Sequence, residues 1–315
     1  MSMGGFLELQ LPSGFEYYPD LVRLNTGRNA LEYILRQKRY AKIYLPYYTC
    51  EVLLEPVRKL KIDVAFYHVN QDLEPVFNEE VESNACFLYT NYFGIKDKAV
   101  AGMANRFDRL IIDNSQAFFS EPLPGIDTFY SCRKFFGVPD GAYLSIKRRL
   151  PNKLAVDTSY QRMDHLTKSI DLGIESAYAD SKNNNAVLEN TEIKQMSRLT
   201  RRLLSAVKYD ECASIRERNF NFLHKSLQEK NLLKFDFSTG TSPMVYPFLS
   251  DDKSLKTHLI QKKIFIATYW PNVYQWVKKD AYEHFLTSNL VALPIDHRYN
   301  LQDMFYMLNI LKQLI

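Results

Sequence analysis

Short apolar runs alternate with apolar residues at helical spacing through the first half of the chain. Each run is bounded by Pro, Gly, Asn or Asp, as buried strands of an α/β sheet usually are. The pattern predicts helices at 50–60 and 98–107, and strands at 42–45, 63–67, 85–90, 110–112, 126–130 and 142–146. Strands separated by helices favour right-handed βαβ crossovers and a mostly parallel sheet.

An amphipathic helix is also predicted from residue 27, with Asn25 or Thr26 as its N-cap and an apolar stripe over 30–35. Gly27 and Arg28 occupy the first turn, where free N–H groups and the helix dipole favour an anion such as phosphate. A capped surface helix with an incidental arginine is the alternative interpretation.

The second half is less regular. Residues 150–200 are polar with few apolar repeats, so we expect a loop-rich or irregular helical connection there. Helical periodicity returns over 196–232, followed by predicted strands at 244–249 and 264–268 and a final helix at 301–314. We therefore predict a large domain over 1–150 with an N-terminal arm at 1–24, a connection at 151–200, and a small domain over 201–315.

Composition narrows the class of protein. The 315 residues are 46% hydrophobic and 24% charged, which is typical of a soluble globular protein. The net charge of +4 is too small and dispersed to indicate a nucleic-acid partner. No apolar run is long enough to span a membrane, and no signal peptide is evident. The four cysteines lack metal-ligand spacing, so we expect free thiols, no metal site and a cytoplasmic location.

Two of the predicted strands are followed by side chains that can do chemistry. Asp113 ends the strand at 110–112, and Lys134 comes soon after the strand at 126–130, with Ser131 three residues before it. Open α/β sheets bind ligands at the carboxyl ends of their strands, so the acid and the amine should face one crevice. These are the two groups that pyridoxal phosphate (PLP) most needs, although a turn residue and a surface lysine are the plainer interpretations.

The order and spacing of several motifs resemble those of the DegT/DnrJ/StrS family of PLP-dependent sugar aminotransferases. The matching segments are T-G-R-N-A-L from Thr26, L-P-Y-Y-T-C from Leu45, N-Y-F-G from Asn91, Asp113 with Gln116, Lys134 with G-V-P-D-G from Gly137, and L-P-I-D-H-R from Leu293. The resemblance implies a fold-type-I PLP-transferase: a large domain with a mostly parallel seven-stranded sheet flanked by helices, and a small C-terminal α+β domain.

The resemblance also implies roles for individual residues. Lys134 would form the Schiff base with PLP, and Asp113 would keep the ring nitrogen protonated. Gln116 would bond near the ring hydroxyl. The cofactor-binding set is completed by the phosphate contacts Thr26, Gly27, Arg28 and Ser131. We expect Lys134 to be partly buried beside Arg133, which would favour a reactive amine.

Three positions depart from the family pattern. Arg28 stands where the family usually has a hydroxyl residue, and Phe129 stands where its serine usually precedes the lysine. Cys50 occupies a slot in which an aromatic residue often stacks on the cofactor ring. The stacking face would then have to come from Tyr47, Tyr48 or Tyr92, each of which is also a plain candidate for the core.

The activity implied is transfer of an amino group, by family habit from glutamate, to a keto-sugar linked to a nucleotide, for amino-sugar or surface polysaccharide biosynthesis. The implied assembly is a homodimer with shared active sites, in which residues 183–185 and the region of Tyr178 reach the neighbouring pocket. Two alternatives remain open: a binding or regulatory protein without transaminase activity, and a related sugar dehydratase, in which histidine replaces the lysine.

Overall fold

A computed structural model describes residues 3–235 and 240–315, and in these ranges one large sheet dominates the fold. Strands β1 to β8 span Val22–Leu24, Lys42–Pro46, Asp63–Val69, Pro75–Val76, Ala85–Thr90, Leu110–Asp113, Asp127–Ser131 and Ala142–Ser145. Their order in the sheet is β1-β8-β7-β6-β5-β2-β3-β4. The central pairs β7–β6–β5–β2–β3 are parallel, and the pairs at the two edges are antiparallel.

Helices surround this sheet, and a second, two-stranded sheet lies in the C-terminal part. Helices α1 to α11 span Gly27–Lys38, Leu54–Lys59, Asp97–Arg106, Asp164–Leu172, Tyr178–Val187, Arg198–Leu204, Tyr209–Leu227, Leu255–Gln261, Val273–Trp276, Tyr282–Asn289 and Leu301–Lys312. The small sheet pairs β9 (Val245–Leu249) with β10 (Leu290–Pro294) in antiparallel fashion.

The core lies on both faces of the large sheet. In β5, Phe87 and Tyr89 belong to one apolar cluster, whereas Cys86 and Leu88 belong to the other. Successive side chains of a strand point to opposite faces, so a strand covered on both sides is apolar throughout. This is why the buried strands appear in the sequence as continuous apolar runs.

The α/β fold class is confirmed, and most of the predicted strands lie within two residues of their predicted bounds. The sheet has eight strands rather than the predicted seven. Two of the eight, β1 and β4, contain only three and two residues, which is too short to form a recognisable pattern. The strand predicted at 264–268 is wrong, because Ile264 and Ile266 are buried in alternation but no strand of the described chain pairs with this segment. Strand β10 was not predicted.

Residues 150–200 are more regular than expected, because α4 and α5 form a helical hairpin there. Ala177 and Leu188 are buried at its base. The two sheets draw on residues 22–145 and 245–294 respectively, and the predicted division into domains stays a prediction.

Among the helices of the described ranges, none combines the length and apolar character needed to cross a membrane. All four cysteines are unpaired thiols.

Candidate active site

Asp113 and Lys134 lie at the carboxyl ends of neighbouring parallel strands. Asp113 is the last residue of β6, and Lys134 ends a short 3-10 helix, Cys132–Lys134, that directly follows β7. Both side chains line one cavity of about 830 Å³. The remaining residues nominated from the sequence line it too: Thr26, Gly27, Arg28, Gln116 and Ser131. The fold thus brings all seven nominated residues together.

Asp113 is a buried carboxylate in this cavity. Burial raises its pKa, while the charge of Lys134 and the hydrogen bonds of Ser115 act in the opposite direction. The backbone N–H of Ser115 donates to Asp113 Oδ1 at 2.8 Å. Within the described residues Asp113 forms no ion pair, so a cation that entered the cavity beside it would relieve the cost of burying its charge.

Gln116 is fully buried and only half satisfied. Its Oε1 accepts a hydrogen bond from the backbone N–H of Phe93 at 2.7 Å, which fixes the orientation of the amide. Its Nε2 has no acceptor in the described chain. A buried N–H₂ group without a partner is costly, so this donor is suited to an acceptor on a ligand in the cavity.

The amino-terminal end of α1 forms another part of the wall. Thr26 caps the helix by accepting from the N–H of Asn29 at 3.1 Å. Two buried asparagines, Asn25 and Asn29, both donate to the carbonyl of Glu192 at 3.1 and 3.0 Å. The segment after α5 therefore holds the start of α1 in place. A Cβ on Gly27 would lie 3.6 Å from Ser115 Oγ, so the first turn of α1 lies beside the turn that follows β6.

Arg28 points its charge at a carboxylate rather than into open space. Its Nη1 lies 2.6 Å from Glu55 Oε2, and both side chains are largely buried. Glu55 also accepts from the N–H of Asn190 at 2.7 Å. Arg28 lines the cavity as predicted, but its charge is balanced within the chain.

The amine of Lys134 is exposed to the cavity, which corrects the expectation of partial burial. Its neighbours Cys132, Phe135 and Phe136 are buried, which fixes the backbone, and within the described chain the Lys134 Nζ makes no hydrogen bond or ion pair. The preceding Arg133 donates to Asn185 Oδ1 of α5.

None of the three tyrosines proposed for ring stacking lies among the described residues that line the cavity. Tyr48 and Tyr92 are fully buried in the core with ring centroids 5.6 Å apart, and Tyr47 stacks on Phe66 at 5.0 Å. The aromatic side chains that line the cavity are those of Phe129, Phe135, Phe136 and Trp270. In this structure none of the three tyrosines presents its ring to the cavity, because Tyr48 and Tyr92 are buried in the core and Tyr47 packs on Phe66.

The C-terminal part supplies a wall that the sequence analysis missed. It consists of Arg216, Trp270, Asp296, His297 and Arg298. Arg298 binds Asp296 through two donors, Nε to Oδ1 at 2.7 Å and Nη2 to Oδ2 at 2.9 Å. Asp296 to Arg298 are the D-H-R of the L-P-I-D-H-R motif, which was the one signal in the sequence that could have located this wall.

Arg216 lies in α7, is 1% exposed, and connects this helix to the segment before β9 and to the residue after Lys134. It donates to the carbonyls of Pro243, Met244 and Phe135, and its guanidinium lies 4.6 Å from the ring centre of Phe135. Burial lowers its pKa to about 10. Burial and the nearby Arg216 charge also lower the pKa of His297, so this imidazole is neutral at pH 7.

The α4–α5 hairpin closes the cavity on a third side, through residues that include His165, Ile170 and Asn185. Residues 184 and 185 also make contacts within their own chain, and the expectation that residues 183–185 reach a neighbouring subunit stays a prediction. Asn185 bonds to Arg133 of its own chain, and the buried Asn184 donates to the carbonyl of Pro139 at 3.1 Å.

Comparison with known proteins identifies the fold. No family model and no curated protein sequence matches the chain. Solved structures do match. A DegT DnrJ EryC1 StrS aminotransferase from Brucella abortus is 14% identical, with a TM-score of 0.59 over 93% of this chain and 85% of its own. The sugar aminotransferase CalS13 from Micromonospora echinospora is 12% identical, with a TM-score of 0.61 over 94% and 87%.

A third structure is Spr1654 from Streptococcus pneumoniae in a PLP form. It is 12% identical, with a TM-score of 0.64 over 94% of this chain and 88% of its own. At these identities the likeness shows the fold: the chain has the fold-type-I architecture of these aminotransferases, as the resemblance implied.

Proposed function

We propose that the chain is a PLP-dependent aminotransferase that moves an amino group from an amino donor, glutamate, to a nucleotide-linked keto-sugar in amino-sugar or surface polysaccharide biosynthesis. The observation that carries this proposal is the pairing of Asp113 and Lys134 at adjacent strand ends in one cavity. The shared fold of CalS13, a sugar aminotransferase, supports the substrate class.

The residues present fit PLP. Asp113 is a buried carboxylate without an ion-pair partner among the described residues, and a protonated pyridine nitrogen would be such a partner. Gln116 offers a buried donor with no acceptor, which a ring hydroxyl can provide. The first turn of α1 and the hydroxyls of Ser115 and Ser131 offer donors for a phosphate. Asp113 and Gln116 thus each lack, within the described chain, a partner that one part of the cofactor would supply.

PLP, when bound, would supply an electron sink that withdraws charge from the carbon bearing the amino group. Lys134 would hold the cofactor through its exposed amine and release it to an incoming amino donor. Within each half of the reaction the freed Nζ of Lys134 would act as base and then as acid in a 1,3-proton shift. It would take the proton from the donor Cα in the first half and give a proton to the carbon that receives the amino group in the second. Asp113 would hold a proton on the ring nitrogen, because a carboxylate buried beside a positive charge stabilises that charge.

Two walls of the cavity would orient the substrates. The C-terminal wall presents the neutral imidazole of His297 and the exposed Arg298. The α4–α5 hairpin presents Ile170 and the polar side chains of Ser169 and Ser181. Hydrogen-bonding groups beside apolar ones suit a sugar, which has hydroxyls around its edge and an apolar ring face.

The test is to incubate purified protein with PLP, glutamate and a panel of nucleotide-linked keto-sugars. The proposal predicts formation of 2-oxoglutarate that depends on one of the sugars, with stoichiometric appearance of an amino-sugar. PLP binding without any turnover across the panel would favour the alternative of a binding or regulatory protein. The dehydratase alternative has a histidine in place of the lysine, and residue 134 is a lysine.

We also propose that the chain acts as a homodimer in the cytoplasm. Large apolar side chains are exposed on the N-terminal arm, where Phe6 and Phe15 are 96% and 89% exposed. Others are exposed on and beside the hairpin, where Ile170 and Leu172 are 84% and 67% exposed. Exposed apolar surface of this kind is typical of a permanent subunit interface.

A further inference from the structure

Among the described residues, five cationic side chains line the cavity, and four of them already have a partner or a proposed role. Arg28 is paired with Glu55 and Arg298 with Asp296. Arg216 donates hydrogen bonds to three backbone carbonyls, and Lys134 is the proposed point of attachment for the cofactor. The fifth cation is Arg133.

Arg133 carries a charge that the chain does not balance. The partner of its Nη2 is the neutral amide oxygen of Asn185. Throughout residues 3–235 and 240–315, no carboxylate lies within ion-pair distance of its guanidinium. Asp140 attracts it from further away, but the oxygens of Asp140 accept from Ser197 and Thr200. Desolvation, followed by repulsion from Arg28, lowers the pKa of Arg133 to about 10, so it is still charged at pH 7.

Arg133 and Arg28 line the same cavity. Arg28 lies in the first turn of α1, where backbone N–H groups lack helical acceptors and no acidic side chain is present. A partly buried cation without a carboxylate partner in the described chain and a helix N-terminus in one cavity together favour an anion. A phosphate dianion matches the planar fork of donors on an arginine.

We infer that Arg133 supplies the fixed positive charge of a phosphate subsite at the amino-terminal end of α1, while Arg28 is held by Glu55. The inference deepens the proposed function and rests on it in one respect, namely that the phosphate is that of PLP. The Asn185 amide oxygen would then accept from the Arg133 guanidinium only while the subsite is empty, and a bound phosphate would replace it as the acceptor. We call Asn185 the placeholder for this reason.

The experiment compares PLP, pyridoxal and inorganic phosphate as probes of the wild type and the Arg133→Gln variant. Binding of PLP and pyridoxal is followed by absorbance and fluorescence, and phosphate binding by the rise in Tm. Arg133→Gln should weaken PLP binding by ~10- to 100-fold, the scale of one charge-assisted contact, and leave the Kd for pyridoxal within about twofold. The rise in Tm with inorganic phosphate should disappear.

Four further variants separate charge from structure. Arg133→Lys keeps the charge but not the fork, and should recover part of the PLP affinity. Asn185→Ala removes the placeholder and should bind PLP within about threefold of the wild type. The double variant Arg28→Gln with Glu55→Gln removes a balanced pair and should weaken PLP less than Arg133→Gln does. Arg148→Gln, an exposed arginine outside the cavity, is the matched control and should change nothing.

Three results would overturn the inference: equal losses of PLP and pyridoxal in Arg133→Gln, reproduction of its loss by Asn185→Ala, or a larger loss in the Arg28–Glu55 double variant. A readout on the wild type covers the case in which Arg133→Gln does not fold. Inorganic phosphate should compete with PLP but not with pyridoxal, and equal or absent competition would also overturn the inference.

The proposed function can fail separately. If the wild type binds no PLP but its phosphate-dependent rise in Tm is lost in Arg133→Gln, the phosphate subsite stands and the assignment of the cofactor falls. If the wild type binds PLP no better than pyridoxal, the subsite falls and the cofactor assignment stands. If the wild type responds to none of the three probes, both fall.

Discussion

Asp113 is the residue whose chemistry depends most on its surroundings. Its carboxylate is buried, with one hydrogen bond from the N–H of Ser115. Asp113→Asn keeps the shape and that bond but removes the negative charge. We predict that the variant still binds PLP and that its rate of transamination falls by about 10²-fold or more, because the proton on the ring nitrogen is no longer stabilised. Steady-state kinetics with a saturating donor measure this, and a rate within a few-fold of the wild type would remove Asp113 from the mechanism.

The same substitution has a second, pH-dependent effect on the protein without cofactor. Burial raises the pKa of Asp113 in the folded state above its unfolded value. Its contribution to stability is therefore most favourable at a pH below the unfolded value and is lost as the pH rises through the folded value. We predict that Asp113→Asn raises the free energy of unfolding of the apoprotein at pH 7 to 8, and that the gain vanishes in acid. Urea unfolding across this range checks the sign, and a destabilised variant at pH 8 would contradict it.

The nominated residues could be found from the sequence because of where they lie relative to the predicted strands and helices. A polar residue that directly follows a buried strand stands out, as Asp113 does. Trp270 and Arg216 do not follow a predicted strand in this way. Tertiary packing brings them to the cavity from elements distant in the chain, so the sequence did not identify them. The sequence also did not show that the charge of Arg28 is balanced, since its partner Glu55 lies 27 positions away in the chain.

At the scale of elements, Asp140 connects the turn after Lys134 to the start of α6. It is fully buried and accepts from the N–H of Ser197 at 2.9 Å, from Ser197 Oγ at 2.8 Å, and from Thr200 Oγ1. We predict that Asp140→Ala lowers the free energy of unfolding by roughly 1–3 kcal/mol, because these buried donors lose their acceptor. Chemical denaturation measures the loss.

Asp108→Ala, at an exposed aspartate, is the matched control and should lie within about 0.5 kcal/mol of the wild type. If Asp140→Ala lowers the free energy of unfolding no more than Asp108→Ala does, the hydrogen bonds of Asp140 with Ser197 and Thr200 do not stabilise the fold.

Elements were predictable where local pattern and tertiary structure agree. Strand β5 was predicted with its observed bounds, Ala85–Thr90, because both of its faces are buried. The segment at 264–268 shows the converse. Its alternation is real, with Phe265 52% exposed between two buried isoleucines, but a strand needs a partner and none lies beside this segment in the described chain. Sequence alone does not reveal whether a partner is present.

At the scale of the whole molecule, the N-terminal arm and the α4–α5 hairpin expose large apolar side chains, which a second subunit would cover. We predict a homodimer whose interface buries more than ~2,000 Å². Sedimentation at micromolar concentration should give twice the chain mass of 36.9 kDa, with or without PLP. An active monomer that binds PLP would contradict this, and would show that one chain closes its own cavity.

The central claim is that Lys134 holds PLP. The most direct measurement is to load the protein with PLP, reduce it with borohydride, digest it and map the modified lysine by mass spectrometry. The account predicts one phosphopyridoxyl group per chain, on the peptide that contains Lys134, and none on the Lys134→Ala variant. Modification of a different lysine, or of Lys134→Ala to the same extent, would contradict it.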